Sequence, residues 1–120
     1  MTRYLILGSG GFIGSHYCHY LKSKHGNKIE LHLPVRNRSK DGIYLDLNNL
    51  NELLILVEEL KPDIIINFSS FHNESEYKEM ELINFYVPKL LMNYVSKNIK
   101  TKLILFGSAA EYDLCKIGER

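Results

Sequence analysis

Gly8-Ser9-Gly10-Gly11-Phe12-Ile13-Gly14 stands directly after the apolar run Tyr4–Leu7 and directly before a stretch with helical periodicity. At a strand-to-helix corner, glycines have three physical tasks. One permits a tight turn, one lets backbone approach a pyrophosphate, and one lets helix and strand pack closely. The helix that follows turns its unbonded amides and the positive end of its dipole toward the same point. The register narrows the reading. Gly8-x-Gly10-x-x places Ile13 where the ordinary dinucleotide fingerprint has Gly or Ala, whereas Gly8-x-x-Gly11-x-x-Gly14 fits throughout. A Walker loop is excluded because no Lys precedes Ser15.

Outward from this motif, short apolar runs alternate with longer helical stripes. The runs are Tyr4–Leu7, Ile29–Leu33, a weak Ile43–Leu45, Ile64–Phe68 and Leu103–Phe106. They lack a polar alternate face, as strands covered on both sides do. Between the first two, Ile13, Tyr17, Tyr20 and Leu21 fall on one helical face, with Gly26 and Asn27 as a stop. Leu50, Leu53, Leu54, Val57 and Leu60 form a second stripe, ended by Lys61-Pro62 because proline lacks a donor and disfavours helix just before it. Ile83, Val87, Leu90, Leu91, Tyr94 and Val95 form a third, from about Ser75 to Lys97, with a local bend at Pro88. The order βαβ, short β, αβαβ reads as an α/β fold with a parallel sheet covered by helices.

A chain of 120 residues with 45% apolar content supports one core, and no linker or repeat divides it, so residues 1–120 are read as one domain. The formal charge of +1 and the short basic cluster Arg36, Arg38, Lys40 give no concentrated basic face, so no nucleic-acid or acidic-membrane partner is expected. Cys18 and Cys115 lie far apart and are read as free thiols in a reducing compartment. The run Tyr4–Leu7 is too short for a signal peptide, and no apolar run approaches the roughly 20 residues that span a bilayer. A cytoplasmic location is the expectation.

With these features in order, the chain resembles the extended short-chain dehydrogenase/reductase family, the NAD(P)-dependent sugar-nucleotide epimerases, dehydratases and reductases. The resemblance implies a doubly wound parallel sheet (Rossmann) with strand order 3-2-1-4-5 and the cofactor across its carboxyl ends. It assigns cofactor binding to Gly8, Ser9, Gly10, Gly11, Phe12, Ile13 and Gly14. Leu45-Asp46-Leu47 looks like the family's motif in which an Asp meets the adenine, giving Asp46 and Leu47; alone, Asp46 reads as a helix cap. Asn67-Phe68-Ser69-Ser70 resembles the fourth strand's end and the loop that passes the cofactor, giving Phe68, Ser69 and Ser70. Asn67 departs from the family, where many members have His, and Ser69-Ser70 stands where Ala-Ala is common. Asn84 matches a helix that carries an Asn near the active site. Gly107-Ser108-Ala109-Ala110-Glu111-Tyr112 is similar to the segment whose hydroxyl hydrogen-bonds the substrate, which makes Ser108 the catalytic candidate.

The second strand is followed by Leu33-Pro34-Val35-Arg36-Asn37-Arg38-Ser39-Lys40, without the acid that holds ribose hydroxyls in an NAD site. Arg36 and Arg38, with Asn37 between them, suit a 2′-phosphate instead, so NADP is favoured over NAD. Tyr112 and Lys116 have the bare spacing of the family's Tyr-x-x-x-Lys pair, but Tyr112 stands at a strand end rather than on a later helix, and the spacing reads as coincidence. The chain is therefore expected to be a C-terminally truncated cofactor domain whose nucleotide-sugar partner belongs to a full-length parent. A stand-alone, non-catalytic dinucleotide-binding module is the competing reading. Leu103–Phe106, as an apolar sheet edge, invites self-association. His16 and His19 are three apart, but no further ligand pattern completes a metal set, and no metal is expected. Glu74, Glu76, Glu79 and Glu81 read as a solvated helix start.

Overall fold

The computed structural model describes residues 1–34, 49–69, 78 and 81–106. Four strands, β1 (Thr2–Leu7), β2 (Ile29–His32), β3 (Ile64–Asn67) and β4 (Lys102–Leu105), form one sheet in the order β2-β1-β3-β4. Every pairing is parallel, with Leu5 opposite His32 and Ile65, and Ile66 opposite Ile104. The expected order 3-2-1-4-5 is thus realised by the four described strands. Its outer member, Ile43–Leu45, lies outside the described residues.

The described helices divide between the two faces of the sheet. Helix α1 (Phe12–His25) crosses from β1 to β2 on one face, where Ile6, Ile66, Cys18 and Leu21 form a core. Helices α2 (Leu50–Leu60) and α3 (Val87–Lys97) cover the other, where Leu5, Leu7 and Ile65 meet Leu53, Val57, Ile83, Val87, Leu91 and Tyr94. The division follows from the period-two alternation of a strand: Leu5 and Leu7 point one way, Ile6 the other.

Helix termini follow their local chemistry. Gly26 closes α1 with φ +55°, its amide bonding Lys22 O, and lysines in the last turn favour the negative end of the dipole. Asn49 caps α2, Oδ1 accepting the amides of Asn51 and Glu52 at 3.1 and 3.4 Å. Lys61 ends α2 at φ 49°, just before Pro62. The third helix departs from the expected single stripe. A π turn, Leu82–Tyr86, precedes α3, and the Val87 amide bonds Leu82 O five residues back. Pro88 supplies the reason: it has no amide for the carbonyl of Asn84 and its ring crowds that carbonyl, so the turn widens.

The face of α1 also differs from expectation. Ile13 and Tyr20 are 62% and 50% exposed, whereas Gly14, Cys18 and Leu21 are buried and Tyr17 is half-buried. The stripe is rotated because Gly14, the residue without a side chain, is the one pressed against the strand end. Burial pushes the Cys18 thiol up, so it is a packing group. At the sheet's other border, Ile104, Leu105 and Phe106 remain 42%, 41% and 48% exposed.

At the base of the sheet, Arg3 joins three elements. Its Nε meets Glu30 Oε2 at 2.7 Å and its Nη1 donates to Leu60 O at 2.6 Å, while its amide bonds Asp63 Oδ2 at 2.8 Å. Arg3 first, and His32 second, hold the Glu30 carboxyl below the usual carboxylate range. A depressed folded-state pKa contributes stability above the unfolded-state value and loses it as pH falls through the folded-state value. Urea midpoints measured across the acid range are expected to fall more steeply for the wild type than for Glu30→Gln. In the core, Leu53→Ala is expected to cost about 2–5 kcal/mol, and Ile55→Ala on the exposed side of α2 under about 1 kcal/mol; urea titration at neutral pH measures both.

Candidate functional site

The carboxyl end of β1 runs into the turn Gly8–Gly11, where the Gly11 amide bonds Gly8 O at 3.2 Å. The next bond, Ser15 N to Gly11 O at 2.9 Å, begins the ladder of α1. The amides of Phe12, Ile13 and Gly14 therefore precede the first i to i−4 bond and face outward from the helix start. No acidic residue lies in this first turn, so nothing on the helix itself neutralises the positive dipole end. Phe12 is 79% exposed and packs against His16, with ring centroids 4.5 Å apart.

The three glycines of the register differ physically. Gly8 has φ +77°, and a Cβ there would stand 2.6 Å from Ser69 N and 2.7 Å from the Phe68 carbonyl carbon. A Cβ on Gly14 would stand 2.3 Å from Gly8 O. Both contacts are to backbone, which has no room to yield. Gly11 is different: its φ of −77° and ψ of 175° are open to any residue, and its nearest neighbour would be Gly8 O at an ordinary 3.5 Å. The fold requires glycine at positions 8 and 14, whereas at position 11 it would accept a β-carbon.

The end of β3 forms the adjoining wall. The Phe68 amide bonds Leu7 O at 2.8 Å, and the Phe68 ring turns into the α1-side core, 5.7 Å from Tyr17 and stacked 4.6 Å from Phe106. Its backbone, rather than its ring, borders the glycine turn. Ser69 is half-buried against Gly8, held by the buried Asn67, a contact the sequence signalled only as a departure from a family pattern. Ser9 is half-buried and Gly10 exposed in the same turn. Asn84 sits half-buried in the π turn.

Arg36, Asn37, Arg38, Asp46, Leu47, Ser70 and Ser108 lie outside the described residues, as do Tyr112, Lys116 and Cys115. A second tyrosine and lysine with four-residue spacing are described: Lys24 Nζ donates to Tyr20 Oη at 3.0 Å. This pair stands roughly two and a half turns along α1 from Gly11, on the exposed helix surface and remote from the glycine turn. His16 is exposed and packed on Phe12, and among the described residues no three His, Cys, Asp or Glu side chains gather as a metal set. Among the described residues no helix is long and apolar enough to cross a membrane.

Comparison with known proteins adds to this geometry. No match was found among curated proteins. Among solved structures, a hypothetical dTDP-4-dehydrorhamnose reductase from Sulfolobus tokodaii aligns at 25% identity and TM-score 0.72, covering 87% of this chain and 38% of its own. L-threonine dehydrogenase from Clostridium difficile aligns at 22% identity and TM-score 0.70, covering 88% and 36%. dTDP-glucose 4,6-dehydratase from Bacillus anthracis, solved in complex with NAD, aligns at 18% identity and TM-score 0.66, covering 88% and 37%. The chain thus spans little more than a third of the length of these structures, which share its fold.

Gly14 and Gly11 are expected to tolerate a β-carbon to different degrees. Gly14→Ala is expected to lose about 1–3 kcal/mol or more through forced backbone displacement, and Gly11→Ala at most about 1 kcal/mol through weaker capping. Thermal unfolding followed by circular dichroism distinguishes them. The sequence model of the NAD dependent epimerase/dehydratase family matches residues 4–119, and the chain belongs to that family.

Proposed function

We propose that this chain is the dinucleotide-holding unit of a sugar-nucleotide epimerase, dehydratase or reductase, with NADP preferred over NAD. One observation carries the reading. Gly11 is not demanded by the backbone, yet glycine stands at the N-cap of α1, directly before the Phe12, Ile13 and Gly14 amides that have no helical partner. A pyrophosphate fits such a place, since it accepts from helix-start amides and is favoured by the dipole. Ser9 and Gly10 belong to the same turn, Ser69 follows β3 beside it, and Ser70 comes next in the sequence.

In this reading Arg36 and Arg38, with Asn37, hold the adenosine end, the arginines pairing with a 2′-phosphate, while Asp46 and Leu47 meet the adenine. When bound, the nicotinamide supplies a hydride acceptor or donor. Ser108 hydrogen-bonds the substrate oxygen that gains or loses a proton, and Asn84 stands near the same end. A serine hydroxyl is a poor proton carrier near neutral pH, so the proton step needs a tyrosine whose pKa a lysine lowers. The Tyr20–Lys24 pair is too distant for that task. Binding without turnover by these 120 residues is the competing reading, and it shares the same dinucleotide site.

Calorimetric titration of NADP and NAD tests the proposal, with NADP expected to bind more tightly and Arg36→Glu expected to reverse the order. Equal affinities would remove the arginines from the reading. Gly11→Val is expected to abolish binding with the circular dichroism spectrum retained, and retained binding would overturn the glycine-turn assignment. Nicotinamide absorbance in the presence of nucleotide sugars is expected to show no turnover by this chain alone. Turnover would make Tyr112 and Lys116 the acting pair.

A further inference from the structure

Asn67, at the carboxyl end of β3, is the one buried polar or charged residue among those described, 2% exposed. Burying an amide is unfavourable unless it is hydrogen-bonded. Asn67 Oδ1 accepts two donors from one residue, the Ser69 amide at 3.0 Å and the Ser69 hydroxyl. The backbone amide can only donate, so the atom facing Ser69 is the carboxamide oxygen, and the Ser69 hydroxyl must then also donate to it. Ser69 is thereby fixed in both backbone and side chain. Its amide nitrogen and Cα are the atoms that would stand 2.6 and 2.9 Å from a Cβ on Gly8, so Ser69 is the wall against which the glycine turn is set.

We infer that Asn67 is a positioning residue for the dinucleotide site: through Ser69 it sets where the Gly8 turn stands, and it leaves Ser69 Oγ able to engage a ligand as an acceptor only. An oxygen whose proton is committed to Asn67 suits a hydroxyl donor, such as a ribose, and does not suit a phosphate oxygen. An apolar residue of similar volume at position 67 would fill the core equally well but release Ser69. This inference rests on the dinucleotide reading given above for the identity of the ligand, and not for the geometry of the turn.

The test combines backbone amide NMR with calorimetry of NAD on the whole chain. Asn67→Leu is expected to move the Gly8, Gly14 and Ser69 amide resonances and to weaken NAD binding about tenfold, the scale of one or two buried hydrogen bonds. Asn67→Asp keeps an oxygen at the same place and is expected to return those resonances toward wild-type positions, a rescue that simple core filling would not produce. Ser69→Ala removes only the hydroxyl, leaves the core untouched and is expected to weaken binding roughly threefold. Unmoved Gly8 resonances with NAD affinity within about twofold of wild type, in Asn67→Leu or, should that variant not fold, in Ser69→Ala, would overturn the inference. A wild-type chain that fails to bind NAD would overturn the dinucleotide reading instead, and the Gly8 resonances would still decide the role of Asn67.

Discussion

Three backbone segments meet where β1 ends: the turn at Gly8, the first turn of α1 at Gly14, and the exit of β3 at Phe68–Ser69. None leaves room for a β-carbon on the glycine that faces it, and the rest of the molecule is arranged around that contact. Pressing Gly14 onto Gly8 O fixes the rotation of α1, which buries Cys18 and Leu21 and turns Ile13 and Phe12 outward. The same contact sets the direction of the helix start, so that its unbonded amides open at the carboxyl edge of the sheet. A site there is a consequence of packing before it is a consequence of any ligand.

The sheet transmits this constraint to its neighbours. Parallel register places Asn67 beside Leu7, and the hydrogen bond from Phe68 N to Leu7 O carries the loop after β3 across the turn after β1. On the opposite face, Pro88 widens one helical turn and so fixes how Asn84 enters the helix that packs on Ile65 and Leu5. Asn67 ends β3, where the backbone leaves the sheet and its hydrogen bonds are no longer made by neighbouring strands. Asn67 replaces those missing bonds with a side-chain acceptor, which explains how an amide is held in an otherwise apolar layer.

The family membership and the local stereochemistry describe different depths of the same object. Membership brings a dinucleotide fold, while the positions of Gly8, Gly11 and Gly14 separate the glycines that the backbone packing requires from the one that it does not. The apolar border at Ile104, Leu105 and Phe106 is the part of the described sheet with least cover, and it adjoins the stacked Phe68 ring.

The run Tyr4–Leu7 followed by the glycine motif was legible in the sequence as a strand, turn and helix, because glycine spacing and apolar runs are local signals. Gly26 and Lys61-Pro62 marked helix ends for the same reason: positive φ and the steric effect of proline act within a few residues. Which side of α1 would be buried was not legible. Ile13 and Tyr20 have the hydrophobicity of core residues, and only contact with Gly8, across the strand end, assigns that place to a glycine. Likewise Asn67 appeared merely as an unusual residue, since its partner Ser69 gains meaning only when β3 lies beside β1. The sequence by itself determined the order of the described elements, the parallel sheet and the presence of a glycine turn, all set by short-range sterics and periodicity. The tertiary structure alone decided which glycines the fold requires, which face α1 buries and what Asn67 holds, because each depends on atoms brought together from distant parts of the chain.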